Sequence, residues 1–146
     1  MGFLLGIFVR LGEHELHYFR AKNYLGVEDK GGYKIASVEK CIYDSLLHMD
    51  KVDAKAIMKA LFYAKLDSKL LLKISAGEDN AFFQRLGYLL SLLPRPNAER
   101  KVLLAFCAKR KKSNTYLQGR SKGKYVKEWM IVDNICKEVL LSWLRQ

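Results

Sequence analysis

The chain predicts an α+β fold: a small, mostly antiparallel N-terminal sheet, then a bundle of about five helices, a late strand around Trp129 and a C-terminal helix. Three observations carry this. Short β-branched and aromatic runs separated by glycines occupy the first 36 residues. Apolar residues then recur every three or four positions, each stretch opened by Ser, Asp or Asn. The two patterns are segregated along the chain rather than alternating, which favours α+β over a parallel α/β sheet.

Residues 3–10 are rich in Phe, Ile, Leu and Val and predict a buried strand. Leu11 to His14 predicts a turn, and Glu15 to Arg20 a second strand. Gly26 and the pair Gly31–Gly32 bracket an irregular stretch, the pair supplying positions that tolerate positive φ. Tyr33 to Ala36 predicts a short third strand. Ser37 predicts an N-cap, with Glu39 suited to the positive end of the helix it opens. That helix presents Val38, Cys41, Ile42, Leu46 and Met49 on one face and ends near His48–Asp50.

Asp53 predicts the cap of a helix over Ala54–Lys65, with Ile57, Leu61 and Ala64 inward and Lys55 and Lys59 solvated. Asp67 predicts the next, to Ser75, stopped by Gly77. Asn80 predicts the cap of a fourth, over Ala81–Leu93, stopped by Pro94 and Pro96. Asn97 opens a fifth, to about Ala108. Tyr125 to Val132 has strand character. Asp133 or Asn134 then predicts a final helix with Ile135, Val139, Leu140, Trp143 and Leu144 on one face. Core burial is the favoured use of that face, and a dimer contact the alternative.

The 146 residues fit one domain, and half of them are hydrophobic with only two prolines, which excludes a disordered chain. Three dispersed cysteines, Cys41, Cys107 and Cys136, each sit among apolar neighbours and predict buried thiols in a reducing compartment. The run Phe3 to Val9 has no basic residue before it and is closed by Arg10, so it does not read as a signal peptide. No window reaches the roughly 18 apolar residues of a membrane span. The expected setting is cytoplasmic, with no membrane partner.

Charge is concentrated late. Residues 1–100 hold 15 Lys and Arg against 12 Asp and Glu, a net of +3; residues 101–146 hold 11 against 3, a net of +8. Between Glu99 and Glu128 there is no acidic residue and there are ten basic ones. Eight of these, Lys109, Arg110, Lys111, Lys112, Arg120, Lys122, Lys124 and Lys127, surround the polar stretch Ser113 to Gly119, which reads as neither core helix nor core strand. Clustered cations release counterions from a polyanion on binding, so nucleic acid or an acidic partner is the expected ligand class.

Motifs for chemistry fail on their mechanics. Gly119 to Tyr125 resembles a phosphate loop, but it has three residues between glycines instead of four, Tyr125 in place of the magnesium-binding hydroxyl, and a strand where a helix is required. His14 and His17 fall on opposite faces of a strand and cannot share a metal. His48 lies near a helix C-terminus, where imidazolium needs no site. No carboxylate accompanies Asp44 at two-metal spacing. The sequence therefore predicts no catalytic residue, no metal and no cofactor.

The run Ile35–Ala–Ser–Val–Glu–Lys–Cys–Ile–Tyr–Asp44 resembles a motif of AbiEi-type antitoxins, in which Glu-Lys opens a helix carrying an Asp about four residues on. Arg85–Leu–Gly–Tyr–Leu–Leu90 is similar to that family's Arg-Leu-Gly-Tyr-Leu helix. Gly123–Lys124–Tyr125, followed by Trp129 and Asn134, resembles its basic loop, closing Trp strand and Asn. The three agree in order over residues 15–134. The resemblance implies one domain of the C-terminal AbiEi type, over residues 1–146, and an antitoxin of a type IV toxin–antitoxin system. Its functional partner is a separate nucleotidyltransferase toxin, with direct contact left open. Family members usually carry an N-terminal winged helix-turn-helix. This chain begins at the strands of the C-terminal part, so promoter recognition of that kind does not carry over.

Among the matched residues, Glu39, Lys40, Asp44, Arg85, Gly87, Tyr88, Trp129 and Asn134, structural roles are expected. Lys40 and Asp44 suit an i,i+4 pair. Glu39 suits a helix start or an ion pair with Arg85. Gly87 suits close packing, and Trp129 suits the core. The alternative is a stand-alone nucleic-acid-binding protein of a mobile element that reuses the fold.

Overall fold

A computed structural model describes residues 7–18 and 21–145. It is α+β. Two antiparallel hairpins come first, β1 (Ile7–Leu11) with β2 (His14–Tyr18), and β3 (Val27–Lys30) with β4 (Tyr33–Ala36). The parts of the first two predicted strands at residues 3–6 and 19–20 lie outside the described residues. Strand β3, Val-Glu-Asp-Lys, has no apolar alternation and was not anticipated. It exists because the turn behind it is built for a hairpin: Gly31 and Gly32 take φ +63° and +85°, and the Asp29 carboxylate accepts the Gly32 N–H at 3.1 Å.

Five helices follow: α1 (Val38–Leu47), α2 (Ala54–Tyr63), α3 (Ser68–Ile74), α4 (Asn80–Leu92) and α5 (Ala98–Ala108). Each starts at a side-chain cap. Ser37, Asp53, Asp67, Asp79 and Asn97 accept a backbone N–H two or three residues ahead at 2.9–3.2 Å, contacts worth about 1 kcal/mol apiece. The cap of α4 is Asp79, not Asn80 as the sequence suggested. Asn80 is the first helical residue, which leaves its amide oxygen free for another partner described below. The core runs through the bundle, with Ile42, Leu46, Met58, Leu61, Leu86 and Leu103 essentially inaccessible.

The C-terminal third closes with a three-stranded sheet ordered β5–β7–β6, from β5 (Thr115–Tyr116), β6 (Lys124–Val126) and β7 (Ile131–Asp133). Strand β7 is central, parallel to β5 and antiparallel to β6. The polar stretch after the lysine cluster thus contains a short strand. The late strand is in fact two strands, and Trp129 lies in neither. It sits buried in the turn Lys127–Met130, and Met130 takes φ +50° just before β7 begins. The expected final helix is also shorter. The Asp133 carboxylate accepts the Ile135 and Cys136 N–H groups at 3.0 and 2.8 Å, and Cys136 takes φ +92°. This bend delays the helix, leaving one α-turn, α6 (Lys137–Leu140), and a 3₁₀ turn over Ser142–Arg145.

Within that segment Leu140 and Trp143 are buried, Trp143 against Phe62 and Tyr63 of α2 at ring distances of 5.4 and 5.7 Å, whereas Val139 and Leu144 are exposed. Core packing is therefore where Trp143 goes. The cysteines divide differently from expectation. Cys107 is buried and its thiol is pushed up to about 12 by desolvation, while Cys41 and Cys136 are exposed. Cys41 lies beside, not on, the Ile42–Leu46–Met49 stripe of α1, and Cys136 sits at the bend. No helix of the described residues is long and apolar enough to cross a membrane.

Candidate nucleic-acid interface

The basic segment divides into cations directed inward and cations left in solvent. Lys109 is the C-cap residue of α5, and the chain then turns back over α4. Arg110 folds inward. Its Nε donates to Asn80 Oδ1 at 2.9 Å, its Nη2 to the Glu78 carbonyl at 3.2 Å, and its guanidinium lies 4.5 Å from the Phe83 ring centre. Lys111 donates to the Glu128 carbonyl at 2.6 Å and lies 5.3 Å from the Trp129 ring centre. The run Lys109 to Lys112, expected to act as one patch, is therefore split, because the loop must be tied to the bundle. Lys109 and Lys112 are exposed, and their ammonium groups make no hydrogen bond or ion pair with any described residue.

The second half of the segment is a pinned loop. Asn134 holds it: the Gln118 N–H donates to Asn134 Oδ1 at 3.0 Å, and the Asn134 amide donates to the Gln118 carbonyl and to Ser121 Oγ. Gly123 runs so close to the Asp133–Asn134 backbone that any Cβ would strike the Asp133 carbonyl. With the backbone fixed in this way, Arg120, Lys122, Lys124 and Lys127 project into solvent. Beside them, between α4, β6 and α6, lies a cleft of about 580 Å³ lined by Lys122, Lys124, Lys137, Tyr88, Asp133 and Glu138. The Cys136 thiol donates to Glu138 at 2.6 Å, which with the nearby Lys124 and Lys137 keeps that carboxyl below the usual range. Neither Lys137 nor the cleft was apparent in the sequence, since both arise from the bend at Cys136.

The matched motif residues hold the fold together. Lys40, only 1 % exposed, pairs with Asp44 at 2.5 Å. Glu39 accepts the Asp67 N–H at 2.7 Å and so secures the start of α3. It does not pair with Arg85, whose Nε donates to the Tyr116 carbonyl at 2.8 Å on another side of the bundle. Gly87 lies against the Trp129 ring, and a Cβ there would overlap ring carbons. Tyr88 donates to Asp133 at 2.6 Å, and burial together with this bond raises its phenol well above the ordinary range. The second and third motifs thus meet: one face of α4 carries the residues that fasten the C-terminal sheet.

Among the described residues no group of three or more His, Cys, Asp or Glu is placed to hold a metal. No protein-family model, curated protein or solved structure matches the chain.

Proposed function

We propose that this chain is a non-catalytic, AbiEi-like antitoxin or regulatory domain of a type IV toxin–antitoxin system, acting in the cytoplasm, with a basic face that binds nucleic acid. The antitoxin part rests on the three motifs in register. The nucleic-acid part rests on one observation: Lys109, Lys112, Arg120, Lys122 and Lys127 stand in solvent without an ionic partner among the described residues. Their neighbours Arg110 and Lys111 are tied to the fold. Cations that served only to hold the loop would all be tied in that way.

Five phosphate contacts correspond to a salt slope of about −4.5, and a loss of roughly 500-fold between about 50 and 200 mM salt. Binding of a labelled duplex is expected to show this. The double substitution Lys109→Ala/Lys112→Ala is expected to lower the slope by about 2 while leaving the fold intact. Absence of binding to either duplex or single strand at about 50 mM salt overturns the nucleic-acid reading and leaves the face to an acidic protein surface. Co-expression with a nucleotidyltransferase toxin encoded beside this gene is expected to restore growth. Persistent toxicity overturns the antitoxin part.

A further inference from the structure

The β5–β7–β6 sheet has two faces. Thr115, Ile131 and Val126 align across the three strands on one, with Ile131 fully buried toward α4. One residue along, Tyr116, Val132 and Tyr125 align on the other, because paired residues project to the same side and successive residues alternate. On this outer face Tyr116 is 37 % and Tyr125 47 % exposed. Val132 separates them, so the backbones that carry the two rings stand about two strand spacings, or roughly 9–10 Å, apart. The Tyr125 hydroxyl, at the rim of the ring, donates to Asn114 Oδ1 at 2.9 Å. Arg85 anchors the strand beneath Tyr116 through its carbonyl.

Strand polarity distributes the free cations around this face. Strand β5 runs parallel to β7 and β6 runs against it. Lys112, before β5, and Lys127, after β6, therefore lie at one end of the sheet. Arg120, after β5, and Lys122, before β6, lie at the other. Two exposed aromatic rings flanked by cations at both ends of the strands match the needs of an unpaired nucleic-acid strand, whose bases offer π-faces and whose backbone offers phosphates. A duplex hides its base faces and leaves the rings unused.

We propose that the outer face of this sheet is a stacking platform for single-stranded nucleic acid, with bases on Tyr116 and Tyr125 and phosphates on Lys112, Lys127, Arg120 and Lys122. It rests on the nucleic-acid reading above and specifies the ligand. Stacking is tolerant of base identity, so affinity depends on strandedness more than on sequence.

The test measures fluorescence anisotropy with a labelled oligothymidylate of about 12 nucleotides and with a duplex of the same length. The single strand is expected to bind more tightly. Tyr116→Ala/Tyr125→Ala is expected to weaken single-strand binding by roughly tenfold per ring lost while leaving duplex binding unchanged. Tyr125→Phe, which keeps the π-face, is expected to bind like the parent. Should circular dichroism show the alanine pair unfolded, Tyr125→Leu, which keeps apolar area but not the π-face, is read in the same assay and is expected to lose affinity. A duplex preference, or tyrosine variants that bind the single strand normally, overturns the platform alone. Failure of both strands to bind at about 50 mM salt overturns the nucleic-acid reading with it.

Discussion

Gly87 shows how much one residue can constrain. A glycine inside a helix costs about 1 kcal/mol relative to alanine, yet here it lets the Trp129 ring rest on the α4 backbone, with Cys107 Cβ also within 2.8 Å of where a methyl would stand. Overpacking outweighs propensity, so Gly87→Ala is expected to lose roughly 1–3 kcal/mol in urea unfolding; an unchanged or raised midpoint would refute this. Neighbouring cations make a sharper contrast. Arg110→Ala removes two hydrogen bonds and two ring contacts, with Phe83 and Phe106, and is expected to cost roughly 1–3 kcal/mol. Lys109→Ala and Lys112→Ala are expected to stay within about 0.5 kcal/mol. The sequence presents all four as equivalent basic residues, because what separates them is Asn80 and Phe83 some 30 positions away.

Cys107 adds a pH dependence at the same scale. Burial raises its thiol from the ordinary 9.0 to about 12. The native state keeps a proton that the unfolded chain releases, so this contribution is complete below about pH 9 and is lost as pH rises toward 12. Tyr43 and Tyr88, whose phenols are also raised by burial, act in the same direction. Unfolding free energy is expected to fall between about pH 8.5 and 10.5, less steeply in Cys107→Ala. A flat profile would count against the burial described here.

At the scale of elements, α3 is the informative case. Seven residues are too few for a stable helix in isolation, yet α3 is well formed because three carboxylates meet at its N-terminus. Asp67 caps Leu70 at 3.1 Å, Glu39 accepts the Asp67 N–H at 2.7 Å, and Glu99 accepts the Ser68 N–H at 2.7 Å. Glu39→Ala is expected to cost roughly 1–3 kcal/mol, and Glu39→Gln, which keeps an acceptor oxygen, distinctly less; equal losses would argue against a capping role. Helix starts were legible in the sequence at the local caps Ser37, Asp53, Asp67 and Asn97; at α4 two adjacent cap-forming residues compete, and the structure uses Asp79 rather than Asn80. Glu39 and Glu99 were not legible as caps, since they reach α3 from 28 and 31 residues away. The same reason hid β3 and β5, whose few residues carry no periodicity and become strands only by pairing.

For the whole molecule, the coupling between the helical bundle and the C-terminal sheet matters most. Buried Gln84 donates to the Ser113 and Trp129 carbonyls at 2.8 and 3.0 Å, Tyr88 holds Asp133, and Gln118 reaches the Met49 carbonyl at 2.7 Å. These ties join the two parts, so unfolding is expected to be a single transition. In a Trp143→Phe variant, Trp129 fluorescence reports the sheet and far-ultraviolet circular dichroism reports the helices. Coincident curves support the coupling, and separated midpoints refute it.

The amino-acid sequence by itself determined the α+β class, the order of the five main helices, most of their caps and the basic character of the last third. Each of these follows from local periodicity, local hydrogen bonding or plain charge. Only the tertiary structure decided which cations remain free, where Trp129 lies, and that Tyr116 and Tyr125 share one open sheet face. Those outcomes depend on pairing across strands and on contacts between residues far apart in the chain, which local pattern does not encode.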